Sequence, residues 1–598
     1  MKFVIAIGAA ALLAAAAPAV AQSGAQTAPE ASRDADHPAL AAILADYEAY
    51  LKANDPISAG REGDKAALSR LPDVSRANEL AQAPVLQAFA ARLAAIDPAS
   101  LNDEDRLNQA FLGRVLERAL ARIPLDTGRI GAFNSEGGPG QSLAYIASVT
   151  RITSRDDAEA WIDRLEAMPD FYRHQLDDAR RGLDSGLVQP RSVVENALSL
   201  IEPETAFTAD TDPLLKPFAA LPDTIPAAEQ AELRARAAAV VADRIMPARR
   251  EWVRFLRDDY LPRAPESLGL VHRPGGRDLY AFLTEGYTTT DLTPDQIHQI
   301  GREEVARIRA RMDTEMRAAG WTGDFASFLA FLRTDPQFYA TSREDLLKEA
   351  SEMAKRADDG LPALFGTLPR LPYGVRPVPA EIEANYTTGR YFSGSMENGV
   401  AGGYMVNTSR LDQRPLYELP ALTLHEAVPG HHLQIALQQE AEEGPYFRKD
   451  ANVTAFTEGW GLYTEFLGEE MGFYRTPYER FGRLSYEMWR ACRLVADTGI
   501  HWLGWDIEQA RACFRDNSAL APHNIETELQ RYIGWPGQAT AYKIGEIRLR
   551  EIRARAERAL GDRFDVRRFH DALLVDGPLP LALLDERMDR WIAEEKGR

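Results

Sequence analysis

Apolar residues recur at helical spacing along most of this chain. From residue 38 to residue 51, one stripe with a period of 3.6 residues is formed by Leu40, Ile43, Leu44, Tyr47 and Leu51. The same period predicts further helices over 82–96, 103–123, 156–184, 190–201, 226–258, 293–319, 324–334 and 343–359. Alternating apolar and polar positions are nearly absent, so the chain is predicted to be mainly α-helical.

One stretch departs from the helical pattern. Residues 368–410 combine Pro-rich extended segments with the run Gly402-Gly-Tyr-Met-Val-Asn407, which predicts a short β-hairpin region over 380–410. A strand here either pairs with the backbone of a bound peptide or forms a structural hairpin over the core, and both interpretations stay open. The first interpretation makes Gly403, Tyr404 and Asn407 candidate substrate-binding residues.

Proline and glycine cluster over 262–285 and suggest a domain boundary. We therefore expect an N-terminal helical lobe over 37–275 and a catalytic helical lobe over 276–598. Residues 22–36 are polar and rich in alanine, so we expect a disordered mature N-terminus. Five glycines in 124–145 predict a loop there.

The first 21 residues have the features of a secretory signal peptide. Lys2 is followed by an apolar run and by Ala19-Val-Ala21, which predicts cleavage after Ala21 and a periplasmic or secreted protein. No later stretch is long and apolar enough to span a bilayer, so no membrane association is expected after cleavage. The net charge of −20 argues against nucleic acid as a partner. Cys492 and Cys513 are too few for a disulfide scaffold, and a single bridge between them is left open.

Three of the ten histidines lie within eight residues, in the run His425-Glu426-Ala-Val-Pro429-Gly430-His431-His432. The run is similar to the His-Glu-x-x-His pattern of zinc peptidases, in which two histidines one helical turn apart hold the metal and the glutamate is the general base. Here the histidines are six or seven residues apart.

That spacing does not suit a regular helix. Residues six apart differ by about 240° around the axis, and residues seven apart lie roughly 10 Å apart along it. Pro429 cannot donate a hydrogen bond to the carbonyl of His425, and Gly430 tolerates unusual backbone angles. We therefore predict an interruption that brings His431, or alternatively His432, to His425. The alternative is an ordinary buried helix whose histidines each need a polar partner.

A catalytic zinc needs a third protein ligand and an open position for water. Glu458 is the candidate, because it follows His431 by 27 residues and lies among the aromatic residues Phe456, Trp460 and Tyr463. Glu465 either supports a histidine ligand from behind or is exposed.

The developing oxyanion needs a hydrogen-bond donor besides the metal. Tyr542 and His501 are the two candidates. Arg493, in the same stretch as His501, is a candidate for binding substrate.

Several motifs together resemble the bacterial DUF885 proteins, which are similar to gluzincin-like metallopeptidases. The motifs are His425-Glu-Ala-Val-Pro-Gly-His-His-Leu-Gln434, Glu458-Gly-Trp-Gly-Leu-Tyr463, Asp497-Thr-Gly-Ile-His501 and Pro536-Gly-Gln-Ala-Thr-Ala-Tyr542. The resemblance implies a mainly α, two-lobed fold with a deep cleft and a small β-sheet next to the active-site helix. It implies one Zn²⁺ per chain at His425, His431 and Glu458, with Glu426 as base and Tyr542 or His501 on the oxyanion.

The sequence thus favours a periplasmic zinc peptidase that hydrolyses short peptides. Two alternatives remain. One is a zinc hydrolase of a non-peptide amide or ester, and the other is a metal-free peptide-binding protein that kept the fold and lost the chemistry. The sequence does not define the cleavage preference, the endo- or exopeptidase mode, or the oligomeric state.

Overall fold

The computed structural model describes residues 35–380, 383, 386–396, 399–441 and 444–597. The predicted signal peptide lies outside the described residues, as does all but the end of the segment expected to be disordered. The chain contacts divide into two compact units. One contains the residues up to Glu266 and those within 443–447, and the other contains the remainder from Ser267 onwards. Proline and glycine clustering led us to expect this boundary between residues 275 and 276.

In the residues of the first unit that the structure describes, the regular secondary structure is helical. Its α-helices are α1 Pro38–Asn54, α2 Pro56–Arg61, α3 Arg76–Ala94, α4 Asp103–Leu125, α5 Gly128–Gly131, α6 Pro139–Val149, α7 Arg155–Ser185, α8 Arg191–Ile201, α9 Ala227–Val240 and α10 Met246–Arg254. The predicted stripe of α1 is its buried face. The loop expected over 124–145 is shorter than predicted, because Pro139 begins α6 and the side chain of Gln141 accepts a hydrogen bond from the Gly138 N–H.

The second unit holds the remaining helices and the strands. Its helices are α11 Gly276–Thr288, α12 Pro294–Ala318, α13 Phe325–Thr334, α14 Arg343–Gly360, α15 Leu419–Glu426, α16 His431–Glu440, α17 Tyr446–Asp450, α18 Thr454–Glu470, α19 Pro477–Thr498, α20 Ile507–Asn517, α21 Pro522–Gly534, α22 Ala541–Leu560, α23 Val566–Leu574 and α24 Leu581–Gly597, with α17 shared between the two units. Thr293 caps α12, and Pro294 is the first residue of this helix. α12 packs along α19, and α18 packs along α22.

Helices α18 and α22 approach each other closely at two glycines. A Cβ atom on Gly459 would lie 2.6 Å from the carbonyl carbon of Gly545, and one on Gly545 would lie 1.8 Å from the carbonyl oxygen of Ala455. Any side chain at either position would push the helices apart. The two glycines therefore fix where α18, which carries Glu458, lies against α22, which carries Tyr542.

The strands form one three-stranded sheet in the order β1-β3-β2. They are β1 Tyr373–Pro377, β2 Gly389–Phe392 and β3 Gly402–Val406. β1 runs parallel to β3 and β2 runs antiparallel to it. The predicted β region is thus present, but its sheet begins before residue 380 with β1, and the C-terminal strand β3 occupies the centre.

Cys492 of α19 and Cys513 of α20 form a disulfide bond. This settles the pairing that the sequence left open. Among the helices that the structure describes, none is long and apolar enough to cross a membrane.

Candidate metal centre

The helix that carries His425 is interrupted, as predicted. α15 ends at Glu426 and α16 begins at His431, with four residues between them. The chain folds tightly back on the end of α15, since a Cβ atom on Gly430 would lie only 1.9 Å from the carbonyl oxygen of His425. Both residues act as their chemistry predicts. Pro429 lacks the N–H that a continuing helix would need, and Gly430 allows the close approach to His425.

Side chains of α18 bind the carbonyl groups near this interruption. The Thr464 hydroxyl donates to the Leu424 carbonyl at 2.9 Å, and the Trp460 indole N–H donates to the Pro429 carbonyl at 2.9 Å. Such carbonyls lose their helical partners where a helix ends and must be satisfied when buried. α18 therefore holds both sides of the interruption, and it also carries Glu458.

The interruption brings three potential metal ligands together. Each of His425, His431 and Glu458 offers one ligand atom within 4.8 Å of the others. The Nε2 atoms of His425 and His431 lie 3.4 and 3.5 Å from Oε2 of Glu458. The two imidazole rings are nearly perpendicular, with centroids 4.7 Å apart.

The electrostatics of the group suit a bound cation. Burial opposes the charged form of His425, but hydrogen bonding to Glu458 and Glu465 raises the pKa of this histidine to about 9. Burial opposes the charged form of Glu458 as well, yet the two histidines hold the pKa of its carboxyl well below the usual value. Two imidazole nitrogens and a carboxylate oxygen form a donor set that Zn²⁺ prefers. The residues present therefore fit a zinc ion.

Space for the His425 ring comes from a glycine. A Cβ atom on Gly461 would lie 2.6–2.9 Å from three atoms of the imidazole. The absence of a side chain at Gly461 therefore leaves room for the imidazole of His425. Behind the ring, the Nδ1–H of His425 donates to Oε1 of Glu465 at 2.8 Å. Glu465 is fully buried and also lies 3.2 Å from Arg490, so it is the supporting carboxylate and not an exposed one.

Glu426, the candidate base, ends α15 next to His425. Its Oε2 atom accepts a hydrogen bond from the main-chain N–H of Tyr391 at 2.6 Å. Glu426 as a whole residue is 9% exposed, so it is largely shielded from solvent. The strand β2 thereby holds one carboxylate oxygen of Glu426.

His432, the alternative to His431, lies outside the ligand group. Its Nε2 atom is 3.0 Å from the Leu371 carbonyl and its Nδ1 atom is 3.0 Å from the Tyr391 hydroxyl. Burial lowers the pKa of His432 to about 4. Both ring nitrogens have other partners, so the geometry favours His431.

The two oxyanion candidates differ in their surroundings. Tyr542 interacts electrostatically with Glu458. The pKa of the Tyr542 hydroxyl is raised mainly by burial and, to a smaller extent, by the negative charge of Glu458. Both ring nitrogens of His501 are bonded to the main chain instead. Nδ1 accepts from the Leu270 N–H at 3.2 Å and Nε2 donates to the Tyr532 carbonyl at 3.0 Å. His501 therefore has no free ring nitrogen for an oxyanion, whereas Tyr542 lies near the ligand group.

Arg493 lies behind Tyr542, with its guanidinium 4.2 Å from the centre of the tyrosine ring. Its Nε donates to the Tyr532 hydroxyl at 2.9 Å and its Nη2 donates to Glu528 at 2.8 Å. As a whole residue, Arg493 is 4% exposed. Arg493 thus supports the ring of Tyr542, and its role in binding substrate stays a prediction.

The three candidate substrate residues of β3 are also withdrawn. β3 is the central strand, so β1 and β2 already pair with its two edges. Tyr404 is fully buried beside Thr423, and the Asn407 amide donates to three carbonyls of residues 383–387. Gly403, Tyr404 and Asn407 therefore build the sheet, and the strand beside Glu426 is β2. Tyr391 could not be predicted as a site residue, because a main-chain N–H carries no residue-specific signal.

A family model described as "Bacterial protein of unknown function (DUF885)" matches residues 56–588. A crystal structure described as a candidate lipoprotein from Colwellia psychrerythraea is 27% identical, with a TM-score of 0.85 and coverage of 93% of this chain and 99% of that chain. A candidate lipoprotein of unknown function from Shewanella oneidensis is 19% identical and shares the fold, with a TM-score of 0.70 and coverage of 92% and 99%. The comparison with curated proteins found no match. The chain belongs to the DUF885 family.

Proposed function

We propose that this protein is an exported zinc-dependent peptidase that hydrolyses short peptides. The observation that carries the proposal is the convergence of His425, His431 and Glu458. Glu426 directly follows His425 in the chain. Two histidines and a glutamate leave one position of a tetrahedral zinc open, as catalytic sites require. We further propose that the chain is related to gluzincin-like metallopeptidases. This relationship rests on the stretched His-Glu…His run and on Glu458.

The roles of the residues follow from their positions. A zinc ion held by the three ligands would polarise a carbonyl and lower the pKa of a bound water. Glu426 would accept the proton of the attacking water and pass it to the leaving nitrogen. Tyr542 would donate its hydroxyl hydrogen to the carbonyl oxygen as negative charge develops there. Glu465 would hold the ring of His425 in place through Nδ1.

Export is the second part of the proposal. The two structural relatives are described as candidate lipoproteins, which are exported proteins. The Cys492–Cys513 disulfide suits an oxidising compartment such as the periplasm. The N-terminal sequence adds a signal peptide with cleavage after Ala21. The net charge of −20 makes neutral or cationic peptides better partners than nucleic acid.

A mixed peptide library tests the activity. Zinc-loaded protein is incubated with the library and the products are read by mass spectrometry, with Glu426→Gln as the control. Cleavage that disappears in the variant and with a chelator supports the proposal. Hydrolysis of amide or ester compounds without peptide cleavage would point to the non-peptide hydrolase. Peptide binding without metal or cleavage would point to a binding protein.

A further inference from the structure

His432 is buried next to a proposed zinc ligand and takes no part in the ligand group. It is 2% exposed, and its ring lies 4.6 Å from that of Tyr373 and 5.5 Å from that of Tyr391, measured between centroids. A histidine withdrawn to this degree needs partners for both ring nitrogens. One of these partners, Tyr391, belongs to β2, the strand that lies beside Glu426.

The two hydrogen bonds of His432 define one tautomer. The Leu371 carbonyl can only accept, so Nε2 carries the hydrogen in the 3.0 Å contact. In the neutral ring, which burial favours, Nδ1 is then the acceptor. The Tyr391 hydroxyl donates to Nδ1 at 3.0 Å. His432 thus fixes the end of the Tyr391 side chain from a helix that also carries His431.

The main-chain N–H of Tyr391 forms a second hydrogen bond, to Glu426. Tyr391 lies opposite Tyr404 in the antiparallel β2–β3 pair, and its N–H faces away from β3. That N–H donates to Oε2 of Glu426 at 2.6 Å. One residue is therefore held by His432 through its hydroxyl and holds Glu426 through its amide.

A glycine makes room for this arrangement. A Cβ atom on Gly402 would lie 2.8 Å both from Nδ1 of His432 and from the hydroxyl oxygen of Tyr391. The neighbouring Gly403 differs, because its Cβ would meet only ordinary contacts at 3.6 Å or more. Gly402 and Gly403 are therefore a matched pair of positions on β3. A side chain at Gly402 would disturb the hydrogen bond between Tyr391 and His432, and one at Gly403 would not.

We propose that His432 is a positioning residue which, through Tyr391, holds the outer strand β2 at the place where the Tyr391 amide binds Glu426. Its effect on hydrolysis rests on the proposed function, while its effect on β2 does not. His432→Leu should release the Tyr391 ring and weaken the hold of β2 on Glu426. His432→Asn keeps a side-chain acceptor near the position of Nδ1 and should retain most of that hold.

Hydrogen exchange measured by mass spectrometry on the full-length protein tests the structural step without any substrate. Peptides that contain Tyr391 should exchange about tenfold faster in His432→Leu and in Gly402→Ala than in the wild type, and at the wild-type rate in Gly403→Ala. If His432→Leu exchanges faster in all peptides because the whole protein is destabilised, the exchange of the Tyr391 peptides in Gly402→Ala tests the proposal instead. Unchanged exchange around Tyr391 in a folded His432→Leu or Gly402→Ala protein would overturn the proposal.

Kinetics with a cleaved peptide test the catalytic step. We expect kcat to fall about 10- to 100-fold in His432→Leu, with KM and zinc content near the wild-type values, and to recover in His432→Asn. Equal kcat in wild type and His432→Leu would overturn the catalytic role. Absence of turnover in the wild type would instead refute the proposed function, and the exchange experiment would still decide the role of His432 on β2.

Discussion

The Nδ1–H of His425 donates to Oε1 of Glu465 at 2.8 Å, and both side chains are buried. This contact turns the opposite ring nitrogen, Nε2, towards Glu458. A carboxylate behind a histidine sets the tautomer of the ring and raises its basicity as a ligand. Because Glu465 orients the ring of His425, we expect replacement of Glu465 to lower the affinity for zinc.

Glu465→Ala should weaken zinc binding about 10- to 100-fold, since the ring of His425 would lose the group that orients it. Glu458→Ala removes a ligand and should weaken binding at least as much. The matched control is Glu470→Ala on the same helix, whose carboxylate pairs with Arg553. Competition with a chelator of known affinity measures the three constants. Equal affinities in Glu465→Ala and Glu470→Ala would remove Glu465 from the site.

Glu426→Gln should keep the metal and lose turnover by about 10²- to 10⁴-fold, because an amide cannot accept the proton of the attacking water. The amide oxygen of glutamine can still accept the Tyr391 N–H, so the local structure should persist. Zinc content and peptide turnover are measured on the same preparation. Turnover near the wild-type level in the variant would exclude Glu426 as the base.

Gly461→Ala should displace the His425 ring, because the new methyl group would lie 2.6 Å from the imidazole. We expect zinc affinity to fall by at least tenfold. Gly131→Ala is the control, since that helical glycine has no neighbouring atom within 4 Å of an added Cβ. A Gly461→Ala protein with unchanged affinity would show that the ring position is not confined as described.

Glu418 should make stability depend on pH. Burial raises the pKa of this carboxyl to about 8, although Arg414, Arg333 and Arg490 act against the shift. In an unfolded chain the pKa of glutamate is about 4.3. Between these values the folded state binds more protons than the unfolded state, so stability should fall as pH rises. The slope contributed by one group is at most about 1.4 kcal/mol per pH unit.

Denaturant unfolding between pH 5 and pH 8 measures that contribution. Glu418→Gln mimics the protonated carboxyl and should remove it, so the stability of the variant should fall less with pH than that of the wild type. Glu470→Gln serves as the control for loss of an exposed carboxylate. Parallel pH profiles for the wild type and Glu418→Gln would contradict the shifted pKa.

Helices and their interruption could be predicted because they depend on local chemistry. The period of apolar residues marks one buried face, and Pro429 lacks an N–H wherever the rest of the chain lies. The choice between His431 and His432 depends on two residues that lie 41 and 61 positions from His432, namely Tyr391 and Leu371, and no local pattern reveals these partners.

The roles of the sheet residues could not be predicted for a related reason. A run such as Gly402–Val406 indicates a strand, but strand order depends on pairing between distant segments. β3 is therefore central and β2 lies beside Glu426, although the sequence drew attention to β3. The residue type of His501 predicts a hydrogen-bond donor, whereas its hydrogen bonds to Leu270 and Tyr532 depend on the packing of the whole unit.

The zinc content of the purified protein tests the central claim most directly. Elemental analysis of the wild type, His431→Ala and His432→Ala, each after zinc reconstitution and removal of excess metal, gives the number of ions per chain. We predict about one zinc per wild-type chain, little in His431→Ala and near the wild-type amount in His432→Ala. A wild-type protein without zinc, or one that loses its zinc on replacement of His432 but keeps it on replacement of His431, would contradict the proposed site.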